Sequence, residues 1–328
     1  MGPLPVASGT ASRDWLRCDP GQDMTCAVGV RVVGWRRPFT LARPVELTGR
    51  GLLFGRRVRV RFLPADTGTG RLFVRTDRPG APTIPAIAEA VTSTLRRTVL
   101  GTPPDHVELV EHVLAALAGL LIDNCCIELD GPEPPGWDGS VRELVSALKE
   151  AGLAIQDQFL PIVTPSQVLD LRHGASRLVL LPAEMRHLEM AYFLDYGVWS
   201  AVGPQRFSYR GTPQDFVNRL AASRTFLLLE EVQALRQQGI GIHTGPEQVL
   251  VFGRQGVLAN RLRWADEPAR HKTLDLVGDL ALVGCPLAGQ VVAYRSGHTL
   301  NVALAQRLRP AVSKVLLSAA TSAVLSAA

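Results

Sequence analysis

The chain has 328 residues, 46% of them hydrophobic and 20% charged, which suits two domains whose cores need neither a disulfide nor a metal staple. Thirty-five Lys and Arg stand against 30 Asp and Glu, net +5, so a disordered acidic or basic tail protein is excluded, and the absence of sequence repeats argues against a solenoid.

Only Lys149, Lys272 and Lys314 are lysines; the arginines are scattered. Arg57, Arg59 and Arg61 alternate with valines, the wet face of an amphipathic strand rather than a nucleic-acid surface. Cys18, Cys26, Cys125, Cys126 and Cys285 are odd in number and lack zinc-ribbon spacing, which fits a reducing compartment. The first thirty residues hold Arg13, Asp14, Arg17, Asp19 and Asp23 with no apolar core, so no secretion signal is expected. The longest apolar run, Val113–Ile122, has ten residues, half of what a bilayer requires. A cytoplasmic monomer is expected.

In chain order, residues 1–36 are rich in Gly, Pro and Arg and read as a loosely ordered extension. A first domain is expected over 37–157. Its strands are expected near Val45–Leu47, Val58–Phe62, Leu72–Arg75 and Cys125–Leu129, with helices over Val107–Leu121 and Ser140–Ala151. The stretch Gln156–Pro165, with prolines at 161 and 165, reads as a linker. A second domain over 158–310 repeats the mixture. Its strands fall near Val168–Leu171, Arg177–Leu181, Leu188–Tyr192, Val249–Phe252 and Gln290–Tyr294. Its helices run from Pro213 to about Gln237, from Asp266 to about Leu282, and onward from Thr299. A tail, 311–328, extends the last of these. Strands and helices mix without strict alternation, which makes the fold class α+β.

The residues with chemical potential lie in three segments. On a helix, His271, Asp275 and Asp279 recur at i, i+4 and i+8, one polar face opposite Leu274, Val277 and Ala281. An imidazole and a carboxylate one turn apart can share a metal ion; the plain alternative is the wet face of an amphipathic helix. Glu111 and His112 open an apolar run, where burial is costly unless something satisfies them; the alternative is a half-exposed helix N-terminus. His298 falls where Gly297 hands a strand to a helix, a place for either a pocket residue or a cap. Two His and one Asp leave a fourth zinc position open, as catalytic zinc sites do. Glu111 could then take a proton from water, and His298 could stabilise charge or protonate a leaving amine.

The chain resembles the UDP-3-O-acyl-N-acetylglucosamine deacetylases, zinc amidases of lipid A biosynthesis. The likeness rests on Val110-Glu111-His112 with Ala115–Gly119, Ile122-Asp123-Asn124, Asp138-Gly139-Ser140, Ser223–Phe226, Arg270-His271-Lys272 with Leu274-Asp275 and Gly278–Leu280, and Ser296-Gly297-His298 with Leu300-Asn301. It implies two α/β sandwich domains with the active site between them, and zinc (Zn2+) held by His112, His271 and Asp275. It further implies Glu111 as general base, His298 as the cation facing the tetrahedral intermediate with Asp279 orienting it, and Thr225 as a partner of the oxyanion. Lys272 is implied beside the substrate phosphates and Glu231 in substrate binding, with Ile240 and Ile242 lining an acyl passage. The chain departs from the family pattern at Leu53, where the family has a histidine, at Val163, where it has a substrate-binding lysine, and at His243–Pro246, which replaces a Gly-Gly-Ser turn. These departures keep two rivals open: a sugar-nucleotide-binding paralogue without turnover, and a zinc amidohydrolase for another N-acetylated substrate.

Overall fold

Between Arg57 and Pro64 the side chains alternate: Val58, Val60 and Phe62 are buried, Arg57 and Arg59 exposed, as a half-buried sheet requires. Arg61 on the wet face meets Glu46 and Glu128 of the flanking strands at 3.4 and 2.8 Å. The computed structural model describes residues 28–197 and 200–327, and of 320–327 the backbone alone.

The first half comprises β1 (Val30–Arg36), β2 (Phe39–Leu41), β3 (Val45–Arg50), β4 (Arg57–Pro64), β5 (Arg71–Arg75), β6 (Thr83–Pro85), β7 (Val91–Ser93), β8 (Val99–Thr102), β9 (Asp105–Glu108), α1 (Val110–Gly119), β10 (Cys125–Leu129), α2 (Arg142–Ala151) and β11 (Leu153–Ile155). The second comprises β12 (Leu160–Pro165), β13 (Leu169–His173), β14 (Ser176–Leu181), β15 (Leu188–Leu194), β16 (Gln205–Tyr209), α3 (Pro213–Arg219), β17 (Phe226–Leu228), α4 (Leu229–Gln237), β18 (Leu250–Gly253), β19 (Gly256–Leu258), α5 (Glu267–Leu280), β20 (Gly289–Tyr294) and α6 (His298–Ala327).

Each half carries a five-stranded sheet, β3-β4-β10-β5-β6 and β13-β14-β20-β15-β16. In both, the last strand in sequence enters the middle, antiparallel to one neighbour and parallel to the other. The two halves thus share one topology although their sequences show no repeat. In each, a helix, α1 or α5, precedes the central strand, and these two helices pack on each other. The α+β layers therefore meet helix to helix, and anything on the facing sides of α1 and α5 lies between the halves.

Several expectations need correction. Residues 1–27 of the expected extension lie outside the described residues, but Val30–Arg36 is a strand, paired antiparallel with β12. The expected linker is consequently in part β12 itself: Ile162, Val163 and Thr164 are buried, and the prolines at 161 and 165 sit in a sheet of only two strands, where a missing N–H is tolerated. The long helix expected from Pro213 to Gln237 is two, α3 and α4, with β17 between them. Buried Arg224 explains the break: its Nε donates to Glu267 Oε1 at 2.8 Å and its Nη1 to Asn260 Oδ1 at 3.0 Å, and tertiary bonds of this kind override helix propensity. The helix expected from Val107 begins only at Val110, because Val107 and Glu108 pair with β8 and Leu109 turns left-handed, φ 55°. The tail, by contrast, extends the last helix as expected, α6 continuing through Pro310.

Cys125 is a core side chain whose thiol burial pushes up to about 12, so it behaves as a small hydrophobe. Among the described residues, no helix is long and apolar enough to cross a membrane.

Candidate active site

Close approach of α1 and α5 builds the site. A Cβ on Gly278 would lie 2.0 Å from the carbonyl oxygen of Glu111, so only glycine lets the first turn of α1 rest on α5. That contact brings His112 of α1 to His271 of α5, ring centroids 5.0 Å apart and nearly perpendicular at 81°. His112, His271 and Asp275 each offer one ligand atom, and these atoms all lie within 4.8 Å of one another.

The surroundings of the three donors suit a cation. His271 Nδ1 donates to the Ser223 carbonyl at 3.2 Å, which leaves Nε2 with a free lone pair, the arrangement by which outer contacts orient metal-binding imidazoles. Burial holds the His271 pKa down to about 3, so the ring is neutral. Burial opposes ionisation of Asp275, but the Lys272 ammonium beside it outweighs burial and keeps the carboxyl well below its usual range. Lys272 Nζ donates to Asp275 Oδ2 at 2.8 Å. Asp275 Oδ1, in contrast, is buried without a hydrogen-bond partner among the described residues, with His112 Nε2 and His271 Nε2 at 3.6 and 3.4 Å. An unpartnered carboxylate oxygen between two imidazole nitrogens is what a divalent ion would satisfy.

Beside the donors stands a second buried cluster. Asp279 Oδ2 accepts from His298 Nδ1 and from Asn301 Nδ2, both at 2.9 Å, and Oδ1 accepts from Thr98 Oγ1 at 2.6 Å. Burial pushes the His298 imidazolium down, yet Asp279, with Glu111 and Asp275, raises its pKa to about 9. Its Nε2 faces Asp275 Oδ2 at 3.9 Å. Glu111 is buried, which raises its pKa, and its Oε2 accepts from the Thr98 N–H at 3.0 Å.

Glu111, His112, His271, Lys272, Asp275 and His298 line one cavity of about 580 Å³, together with Thr225, Phe226, Tyr196, Arg96 and Arg295. Phe226 stands edge-on to His271 at 6.5 Å and to Tyr196 at 5.8 Å, so aromatic and charged side chains share the lining.

Residues 39–310 match the family model described as LpxC: UDP-3-O-acyl N-acetylglycosamine deacetylase. The chain belongs to this family. It is 39% identical over 277 residues to a UDP-3-O-acyl-N-acetylglucosamine deacetylase of Nostoc sp., covering 83% of this chain and 98% of that one. It is 40% identical over 278 residues to the protein of the same name from Trichormus variabilis, with the same coverage of 83% and 98%. A bifunctional enzyme LpxC/FabZ of Chlorobaculum tepidum is 37% identical over 297 residues, but the aligned part spans only 63% of that longer protein.

Every residue singled out in the LpxC-like motifs for metal, acid or base chemistry converges on the cavity: Glu111, His112, His271, Asp275 and His298 line it, with Asp279 behind His298. Thr225 lines it too, and its backbone is anchored by Gly139 and Leu250. Glu231 reaches the rim, where Oε1 accepts from Arg96 at 2.9 Å and Oε2 from the Leu228 N–H at 2.9 Å. Other expectations do not meet the cavity. Val163 lies fully buried in β12, with its N–H and carbonyl bonded to Pro286 and Ala288, so that position faces the core and not a substrate. Leu53 donates its N–H to buried Glu133 at 2.8 Å in a loop that packs on 241–244 and is absent from the lining. Ile240 and Ile242 likewise do not line it, and Ile242 is exposed. Sequence reasoning gave no role to Thr98, Asn301 or Phe226. Asn301 and Phe226 stand inside motifs already noticed, whereas Thr98 carries no local signal.

Proposed function

We propose that the chain hydrolyses the acetamide of UDP-3-O-acyl-N-acetylglucosamine to the free amine and acetate, the committed step of lipid A biosynthesis, with zinc at His112, His271 and Asp275. The observation that carries this reading is the unpartnered Asp275 Oδ1 between two imidazoles, inside a chain of the deacetylase family. Zinc, when bound there, would supply the Lewis acidity that lowers the pKa of a water toward 7 and polarises the amide carbonyl.

The rest of the chemistry falls to the chain's own side chains. Glu111, whose burial favours proton uptake, takes the proton of the attacking water and is placed to hand it to the departing nitrogen. His298, kept cationic by Asp279, directs Nε2–H toward the charge that develops on the carbonyl oxygen, with the Thr225 hydroxyl beside it. Lys272 and Arg295 in the lining suit a diphosphate, and Tyr196, Phe226 and Leu227 suit an acyl chain. Glu231, fixed by Arg96, holds the rim against which the substrate rests. Residues 37–157 and 158–310 act as two domains with the reaction between them. The free thiols Cys125, Cys126 and Cys285 support a cytoplasmic setting.

Acetate release from the acylated UDP-sugar, compared with UDP-N-acetylglucosamine and free N-acetyl sugars, tests the substrate. Glu111→Ala should retain zinc by metal analysis and lose roughly two to four orders of magnitude in rate. His271→Ala or Asp275→Ala should lose the metal itself. No acetate from zinc-loaded protein, or loss of zinc with Glu111→Ala, would sink these assignments.

A further inference from the structure

We propose that Thr98 is a positioning residue for this reaction, locking Glu111 and the Asp279–His298 pair to each other across the seam between the halves. The inference rests on the function proposed above. Thr98 is fully buried just before β8, and every polar atom it has is committed. Its N–H donates to Glu111 Oε2 at 3.0 Å, and its carbonyl accepts from the Val110 N–H at 3.4 Å, the first residue of α1. Its hydroxyl donates to Asp279 Oδ1 at 2.6 Å and stands 3.4 Å from His298 Nδ1.

Since His298 Nδ1 gives its hydrogen to Asp279 Oδ2, and Asn301 gives a second to the same oxygen, the Thr98 hydroxyl is the donor that holds the other oxygen. It is also the one of these three donors that comes from the first half. Asn301 is braced in turn by Ser296 Oγ at 2.6 Å, so the second half presents a fixed carboxylate and Thr98 sets its orientation relative to Glu111. The segment that carries Thr98 is itself strapped to the second half at alternate residues. Thr94 Oγ1 lies 3.1 Å from Thr299 Oγ1, and Arg96 Nη1 lies 2.9 Å from Glu231 Oε1. These two ties hold the strap, and Thr98 is the member that touches the candidate acid and base. A β-branched side chain, stiff at χ1, suits that task.

Thr98→Val keeps shape and backbone contacts and deletes the hydroxyl. It should lower kcat about 10- to 100-fold, as loss of an orienting partner does, with KM and metal content near those of the unaltered enzyme. Thr98→Ser should recover most of the loss. In Asp279→Asn, Thr98→Val should add little, because one residue acts through the other. By NMR, the His298 Nδ1–H resonance should shift in Thr98→Val and stay in place in Thr98→Ser. Should the valine variant melt too early to assay, Thr98→Ala serves with the same expected split. An active enzyme whose kcat and His298 resonance are indifferent to Thr98→Val, or a loss confined to KM, overturns the role while leaving the proposed function intact. An inactive unaltered enzyme overturns both.

Discussion

His298 and Asp279 decide how charge is kept at this site. The imidazolium is buried, which works against it, and Asp279 at 2.9 Å more than compensates, taking the pKa to about 9. The sign follows directly: a raised value means that the cation persists through neutral pH and is lost as pH climbs through about 9. Its contribution to folding is full below the ordinary histidine value of about 6.5 and disappears over the same interval. The activity should therefore have an alkaline limb to which His298 contributes. Asp279→Asn removes the strongest influence holding the cation and should move that limb toward lower pH, while Glu111→Gln should lower the rate without moving it. A pH–rate profile of the three proteins checks this, and a limb unmoved by Asp279→Asn would assign it to another group.

At the scale of elements, the crossing of α1 and α5 is the critical contact, and Gly278 is its weak point. A methyl group there meets the Glu111 carbonyl oxygen at 2.0 Å and carbon at 2.7 Å, both backbone atoms with no rotamer to yield. Gly278→Ala should cost about 1–3 kcal/mol of stability, as overpacking does, and should lower activity by more than the stability loss explains, because α1 must move and carries Glu111 and His112 with it. Thermal melts and kcat on one preparation test both parts. The same crossing marks the limit of what the sequence discloses. His271, Asp275 and Asp279 were legible because helical period is local, and α5 confirms their common face. The strands around Val58 and Cys125 were legible for the same reason. That His112 would meet His271 was not legible in spacing or pattern and came only through likeness to a family. Thr98 stands between strands too short to show a period, and the break between α3 and α4 depends on Arg224 reaching Glu267 from far along the chain. The segment around Val163 reads as a proline-flanked linker because it gains its strand from β1, a partner distant in sequence.

Over the whole molecule, two sheets of one topology meet through α1 and α5, and the metal donors come from both: His112 from one half, His271 and Asp275 from the other. An ion held there is a clamp on the seam as well as a reagent. Without it, Asp275 Oδ1 is a buried acceptor with nothing to accept from, a cost that the ion removes. A ligand bound only by the folded state stabilises by about 2.7 kcal/mol at a hundredfold excess over Kd and about 4.1 at a thousandfold. For a chain of this size that corresponds to a fall in Tm of roughly 4–6 °C on chelation, and amides of α1 and α5 should lose more hydrogen-exchange protection than those of the two outer sheet edges. His271→Ala should start at the lowered Tm and show no further fall with chelator. If chelation strips the metal and leaves the melt unchanged, the ion does not bridge the halves, and at least one of the three donors is wrongly assigned.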